Sequence, residues 1–135
     1  MQLDPSAFVA DPELIGALEQ RSTPISCDAD RVLFCQDDPA TGLYILDEGE
    51  IVLNMDSAEG ETLLAATALP GSLLGLPGLI CNQPYSLTAT ARAGARVSFV
   101  SGADFHALMQ ADPQLSLKML QVLAAEVRSA RYALY

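Results

Sequence analysis

The chain has 135 residues, half of them hydrophobic, and a net charge of −10, with only seven Lys and Arg residues spread along it. A chain of this length forms one domain and can bury about two-thirds of its surface on folding, so it holds a core without disulfides or metal. The lack of any basic cluster argues against direct duplex binding, which needs cations to release counterions from phosphates, and against anionic membrane surfaces.

Cys27, Cys35 and Cys81 stand far apart with no CxxC spacing, the pattern of reduced cytosolic thiols rather than of a disulfide framework. The first residues, Met1-Gln2-Leu3-Asp4-Pro5, lack the basic and apolar regions of a signal peptide. A cytoplasmic protein is expected.

From Asp4 to about Gln20 the chain reads as an N-terminal helix, which Asp11-Pro12-Glu13 can restart as a cap with Pro at the first helical position. Leu14, Ile15 and Leu18 give it an apolar face, and Thr23-Pro24 ends it. Between Asp30 and Val100 the pattern becomes short β-type runs between turn residues. These runs are Arg31 to Cys35, Leu43 to Leu46, Glu50 to Met55, Thr62 to Ala68, Ser72 to Leu74, Ser86 to Ala91 and Arg96 to Val100. No residue from Thr62 to Ala91 is charged, long enough for a membrane span. Pro70, Gly71, Gly75, Pro77, Gly78 and Pro84 interrupt it, and a lipid-facing helix could not satisfy its backbone through so many breaks. It is expected to be strands flanking a Gly/Pro loop from Gly75 to Pro84, in a soluble protein.

The last third is helical. Ser101 is placed to cap a helix with Asp104 as its capping-box partner, and Asp112-Pro113 starts a second helix that runs to the C-terminus. On this final helix Ser116, Leu120, Leu123, Val127, Ala130 and Leu134 recur at alternating four- and three-residue steps, the seam of a helix that pairs with another. The same residues would also serve to pack the helix on its own domain. Leu117, Met119, Val122 and Ala124 leave further apolar surface for that purpose, so a homodimer through this helix is expected.

Gly42-Leu43-Tyr44-Ile45-Leu46-Asp47-Glu48-Gly49-Glu50-Ile51 resembles the strand–turn–strand element of cyclic-nucleotide-binding domains. Leu69-Pro70-Gly71-Ser72-Leu73-Leu74-Gly75 resembles that family's lead-in to its phosphate-binding cassette, and Phe105-His106-Ala107-Leu108 with the Asp112-Pro113 helix start resembles the two helices after its roll. The likeness runs from Ile25 onward and is strongest to the catabolite-activator and fumarate–nitrate regulator superfamily. It implies a mainly β fold with flanking helices: a double-stranded β-helix, or jelly-roll-like β-roll, with an N-terminal helix and two C-terminal helices. The expected division of the single domain 1–135 is an N-terminal helix over 1–24, the β-roll over 25–100 and the C-terminal helices over 101–135.

Two departures from the family pattern stand out. The superfamily's regulators continue past the long helix into a winged helix-turn-helix, whereas this sequence stops at Tyr135. No DNA-reading part is therefore expected. In nucleotide-binding members the cassette carries a Glu for the ribose hydroxyl and an Arg for the cyclic phosphate. Here the resemblance puts Leu76 and Tyr85 at those two positions, with Ser86 matching the hydroxyl position. Arg binds phosphate bidentately through strong charge-assisted bonds. An enclosed phosphate with no countercharge would carry a desolvation cost of several kcal/mol. Backbone N–H groups of Gly75 to Gly78 would have to cradle an anion alone.

Other constellations carry less. The acids of Asp37-Asp38 and Asp47-Glu48-Glu50 lie at turns, where Asp supports local backbone, and have no EF-hand spacing, so no metal is expected. His106 is the only histidine, and no nucleophile–base pair stands out, so no enzyme is expected. Some superfamily members bind haem or an iron–sulfur cluster, and Cys81 lies in the cassette loop. A cluster needs four thiolates and the chain has three; no cofactor is expected. Arg131 falls where the family's long helix reaches its ligand, although a solvated helix-end Arg is the plainer account.

These observations predict a non-catalytic sensory or regulatory module with a degenerate pocket. It would not bind cyclic AMP or cyclic GMP tightly, and would bind neither nucleic acid nor membrane. One alternative is an effector-binding domain for an apolar or neutral small molecule held by Leu76, Leu79, Tyr85, Ser86 and Thr88. Another is a cyclic-nucleotide receptor that uses loop amides and Arg131. The candidate pocket is Leu74, Gly75, Leu76, Pro77, Gly78, Leu79, Tyr85, Ser86, Thr88 and Arg131.

Overall fold

The computed structural model describes residues 3–133. Its strands are β1 (Thr23–Ser26), β2 (Arg31–Phe34), β3 (Gly42–Glu48), β4 (Ile51–Asp56), β5 (Thr62–Ala68), β6 (Leu73–Leu74), β7 (Thr88–Ala91) and β8 (Arg96–Ser101). They form two four-stranded antiparallel sheets, ordered β1-β8-β3-β6 and β2-β7-β4-β5, in a jelly-roll-like roll. The helices are α1 (Pro12–Glu19), α2 (Leu76–Cys81), α3 (Gly102–Ala111) and α4 (Pro113–Ala133), and a 3-10 turn spans Pro5–Phe8.

Side chains on a strand alternate between faces, and β3 uses both. Leu46 belongs to the core between the sheets, with Leu53, Ala66, Ala89 and Val97, and Tyr44 packs against it. Leu43 and Ile45 face outward, where Leu14 and Leu18 of α1, Phe105 of α3 and Met119 of α4 cover them. The helices thus pack on the outer face of the first sheet. Small residues let the second sheet close: Leu53 lies opposite Ala89 on one side and Ala66 on the other.

The caps of the last two helices follow their sequence signals. The Ser101 hydroxyl accepts the Asp104 N–H at 3.2 Å, and Asp112 accepts those of Gln114 and Leu115 at 3.1 and 3.3 Å. Asp11 also restarts the N-terminal helix as expected, accepting the Glu13 N–H at 2.8 Å. Three places differ from expectation. The described segment before Asp11 is not α-helical: only the 3-10 turn precedes α1. Thr23-Pro24 does not merely end a helix but opens β1, with Pro24 opposite Ser98. β1 is an edge strand, where a missing N–H is tolerated. The Gly/Pro loop contains α2, entered through Gly75 at φ +93° and left through Asn82 at φ +52°, with Pro77 in its first turn, where no N–H is needed. No helix among the described residues is long and apolar enough to cross a membrane.

Candidate functional site

A cavity of about 200 Å³ opens at one side of the roll. Its walls are Phe34 of β2, Leu53 and Met55 of β4, Leu64 of β5, Leu74, Gly75, Pro77, Gly78 and Tyr85 to Leu87 of the cassette, Leu3 and Phe8 from the N-terminal segment, and Glu126, Val127 and Ala130 of α4. Of the residues proposed from sequence, Leu74, Gly75, Pro77, Gly78, Tyr85 and Ser86 line it.

Tyr85 shapes one wall. It is buried, its ring stacks on Phe34 with centroids 4.1 Å apart, and its hydroxyl is fully engaged. That hydroxyl donates to the Gly42 carbonyl at 2.8 Å and accepts the N–H groups of Thr41 and Gly42 at 3.1 and 3.2 Å. Gly75 accommodates it in turn: a Cβ there would stand 3.0 Å from the ring, and its φ of +93° already favours glycine. The phenol is held as structure, and the cavity persists beside it.

The remaining proposed positions point elsewhere. Leu76 and Leu79 are buried, but in the helix-side core with Leu43, Leu73 and Phe105. The short α2 turns them away from the cavity, which an extended loop would not have done. The Thr88 hydroxyl accepts the Gln36 N–H at 2.9 Å and ties β7 to the end of β2. Arg131 is exposed and absent from the cavity wall. On α4, the Ser116 hydroxyl donates to the Met109 carbonyl at 2.8 Å, which binds it to α3, and Leu123 is half-buried on the helix-side core. Leu120 and Val127 are exposed, at 53% and 48%, and Leu117 at 59%. Ala130 lines the cavity, and Leu134 lies outside the described residues.

Glu126 was not singled out from sequence. Among the described residues it is the one charged side chain in the cavity wall, and burial pushes its carboxyl up to about 8. No hydrogen bond of this carboxyl is found within the described residues. Its signal lay in the spacing: Glu126 continues the stripe Leu115, Met119 and Val122, all buried, and a carboxylate on the inward face of a helix marks a site. A carboxyl pair lies outside the cavity. Glu19 is pushed up to about 7 by its hydrogen bond with Asp47 and by partial burial, and Asp47 also accepts the Ser98 hydroxyl at 2.7 Å.

The family model described as the cyclic nucleotide-binding domain matches residues 24–112, more than half of the chain. Among solved structures, the chain is similar to the catabolite activator protein of Thermus thermophilus, with TM-score 0.78 and 23% identity over 97% of this chain and 62% of that one. It is also similar to a protein of a cyclic-GMP-dependent signalling pathway that regulates bacterial phytopathogenesis (TM-score 0.76, 22% identity, 88% of this chain and 94% of that one). A third likeness is to the N-terminal domain of a transcriptional regulator from Streptomyces coelicolor A3(2) (TM-score 0.67, 23% identity, 96% and 93%). The chain spans 62% of the length of the Thermus protein and 55% and 57% of two other such relatives. No curated protein matches it significantly in sequence. With the roll, the cassette and the two closing helices in their order, the chain belongs to the cyclic nucleotide-binding domain family.

Proposed function

We propose that this domain is a non-catalytic sensory module whose cavity takes an apolar effector carrying no negative charge, in place of a cyclic nucleotide. The observation that carries this is the cavity wall: apolar along most of its length, without a basic residue among those described, and bearing Glu126. A cyclic phosphate there would lose its hydration, gain no countercharge and face a carboxyl group, a penalty of several kcal/mol. Arg131, exposed on α4, does not supply the missing cation. A cavity of about 200 Å³ also favours an effector over a pocket closed by Tyr85.

The module is further proposed to pair with a second copy through α4 and not to bind duplex DNA by itself. The net charge of −10 supports the second point. So do the ion pairs of Lys118 with Asp11 and Glu13, of Arg92 with Asp30 and of Arg96 with Glu48, which already engage three of the seven cations.

Calorimetric titration with cyclic AMP and cyclic GMP tests the central claim. No binding is expected at protein and ligand concentrations in the tens of micromolar, and a micromolar dissociation constant for either nucleotide would sink it. A gel shift with random duplex at low salt, where electrostatic binding is strongest, is expected to show no complex.

A further inference from the structure

Glu126 is poorly served by its own protein. Leu3 and Phe8 from the N-terminal segment, Leu53 and Met55 from β4 and Leu64 from β5 leave it an apolar setting. Tyr85 is the other titratable group in the wall, and its hydroxyl is committed to Thr41 and Gly42. Asp4, on the segment packed against α4, spends its carboxylate on the N–H and hydroxyl of Ser6 at 3.0 and 2.8 Å. On α4 itself, Lys118 is bound to Asp11 and Glu13, Arg131 is exposed, and neither Arg128 nor Arg131 lines the cavity. Burial alone accounts for the raised carboxyl of Glu126, as expected of a partly buried acid with no cation beside it in the cavity wall among the described residues.

We infer that the cavity takes a hydrophobic amine: a body about the size of one aromatic ring, bearing a single ammonium group that pairs with the Glu126 carboxylate. The inference rests on the reading of the cavity as an effector site and names its ligand class. Three features converge on it. A dry cavity of about 150 Å³ holds a benzene ring, and this one, at about 200 Å³, has room for a ring and a short chain. Phe8, Phe34 and Tyr85 in the wall give aromatic surface for an apolar body bearing a ring. An ammonium would also relieve the unpaired carboxyl, the one polar demand of the site that the described residues leave unmet.

Pairing requires Glu126 to ionise, so binding at pH 7 expels its proton to solvent while the amine keeps its own. With the carboxyl at about 8 in the free protein, close to one proton leaves per amine bound at pH 7. Affinity then rises by tens of fold between pH 6 and pH 8.

The test is calorimetry of the whole chain with 2-phenylethylamine, 2-phenylethanol and 3-phenylpropionate at pH 6, 7 and 8, in two buffers of different ionisation enthalpy. The amine is expected to bind most tightly and the carboxylate least, with proton release and the pH dependence seen for the amine alone. Glu126→Gln, which keeps the side-chain shape, is expected to weaken the amine at least tenfold, abolish proton release and leave the alcohol unchanged. If the alcohol binds as tightly as the amine, or Glu126→Gln leaves amine binding intact, the amine inference falls and the effector reading stands; if the acid binds as tightly as the amine, both fall. If none of the three binds at millimolar concentration, both fall together.

Discussion

Tyr85 and Leu76 stand where the family resemblance places a phosphate-binding Arg and a ribose-binding Glu, and the structure gives the two replacements different meanings. The Tyr85 hydroxyl joins the cassette to the start of β3 through three hydrogen bonds. Tyr85→Phe leaves two N–H groups and a carbonyl without that partner, and buried unsatisfied groups cost about 1–3 kcal/mol. A fall in unfolding free energy of that size is expected in urea titration, and a change under about 0.5 kcal/mol would show that water replaces the phenol. Leu76 is fully buried beside Phe105 in the helix-side core. A carboxylate introduced there enters the hydrophobic core and not the cavity. The sequence pattern identified both positions but not their directions, because α2 was hidden in a Gly/Pro-rich stretch. Glu126 was overlooked for a related reason: a single acid on a long polar-looking helix gains its meaning only once the inward face of that helix is known.

At the level of the element, α4 carries two apolar stripes. Leu115, Met119 and Val122 are buried against the helix-side core, and the same side continues through Glu126 and Ala130 along the cavity. Leu117, Leu120, Ala124 and Val127 form an exposed stripe at steps of three, four and three residues. This is the seam spacing expected from sequence, turned by one position at Leu117 and Ala124. Periodicity shows that two stripes exist, while only the docking of the helix shows which is left open. Ser101, Asp112 and most strands were readable because caps and alternation are local signals; β1 and α2 were not, because Pro and Gly there act through sheet-edge and helix-entry geometry. Leu120→Asp is expected to give a folded monomer where the parent sediments as a dimer at micromolar concentration, with stability changed by no more than about 0.5 kcal/mol, as for other surface substitutions. Leu123→Asp is expected to damage the fold itself, since Leu123 packs on the core. A parent that sediments as a monomer would remove the pairing claim.

At the scale of the molecule, two carboxyls among the described residues make stability fall as pH rises. Glu126 and Glu19 are held above the ordinary carboxylate value, to about 8 and about 7, so their protonated forms support the folded state. That support is complete below the ordinary value near 4.5 and is lost as pH climbs through 7 and 8. Asp11 works in the opposite sense: its bond to Lys118 lowers it, and its contribution is lost only in acid. The melting temperature is therefore expected to peak on the acid side of neutrality. Glu126→Gln should gain about 1–3 kcal/mol on the parent between pH 5 and pH 9, a fraction of the full shift because the residue is only partly buried. Parallel melting curves for the two proteins across that range would contradict this. The cavity wall also has a part that belongs to neither sheet. Leu3 and Phe8 sit on a segment anchored by the Leu3 N–H to the Ala65 carbonyl at 3.0 Å, the Asp4 N–H to the Ser129 hydroxyl at 2.8 Å, and the Ala10 N–H to the Gly71 carbonyl at 3.0 Å. Peeling it back breaks three backbone anchors and disturbs no strand pairing within either sheet. On the proposed effector reading, this strip of chain a few residues long would set how long a guest stays inside, while Glu126, on α4, stays in place when the strip lifts.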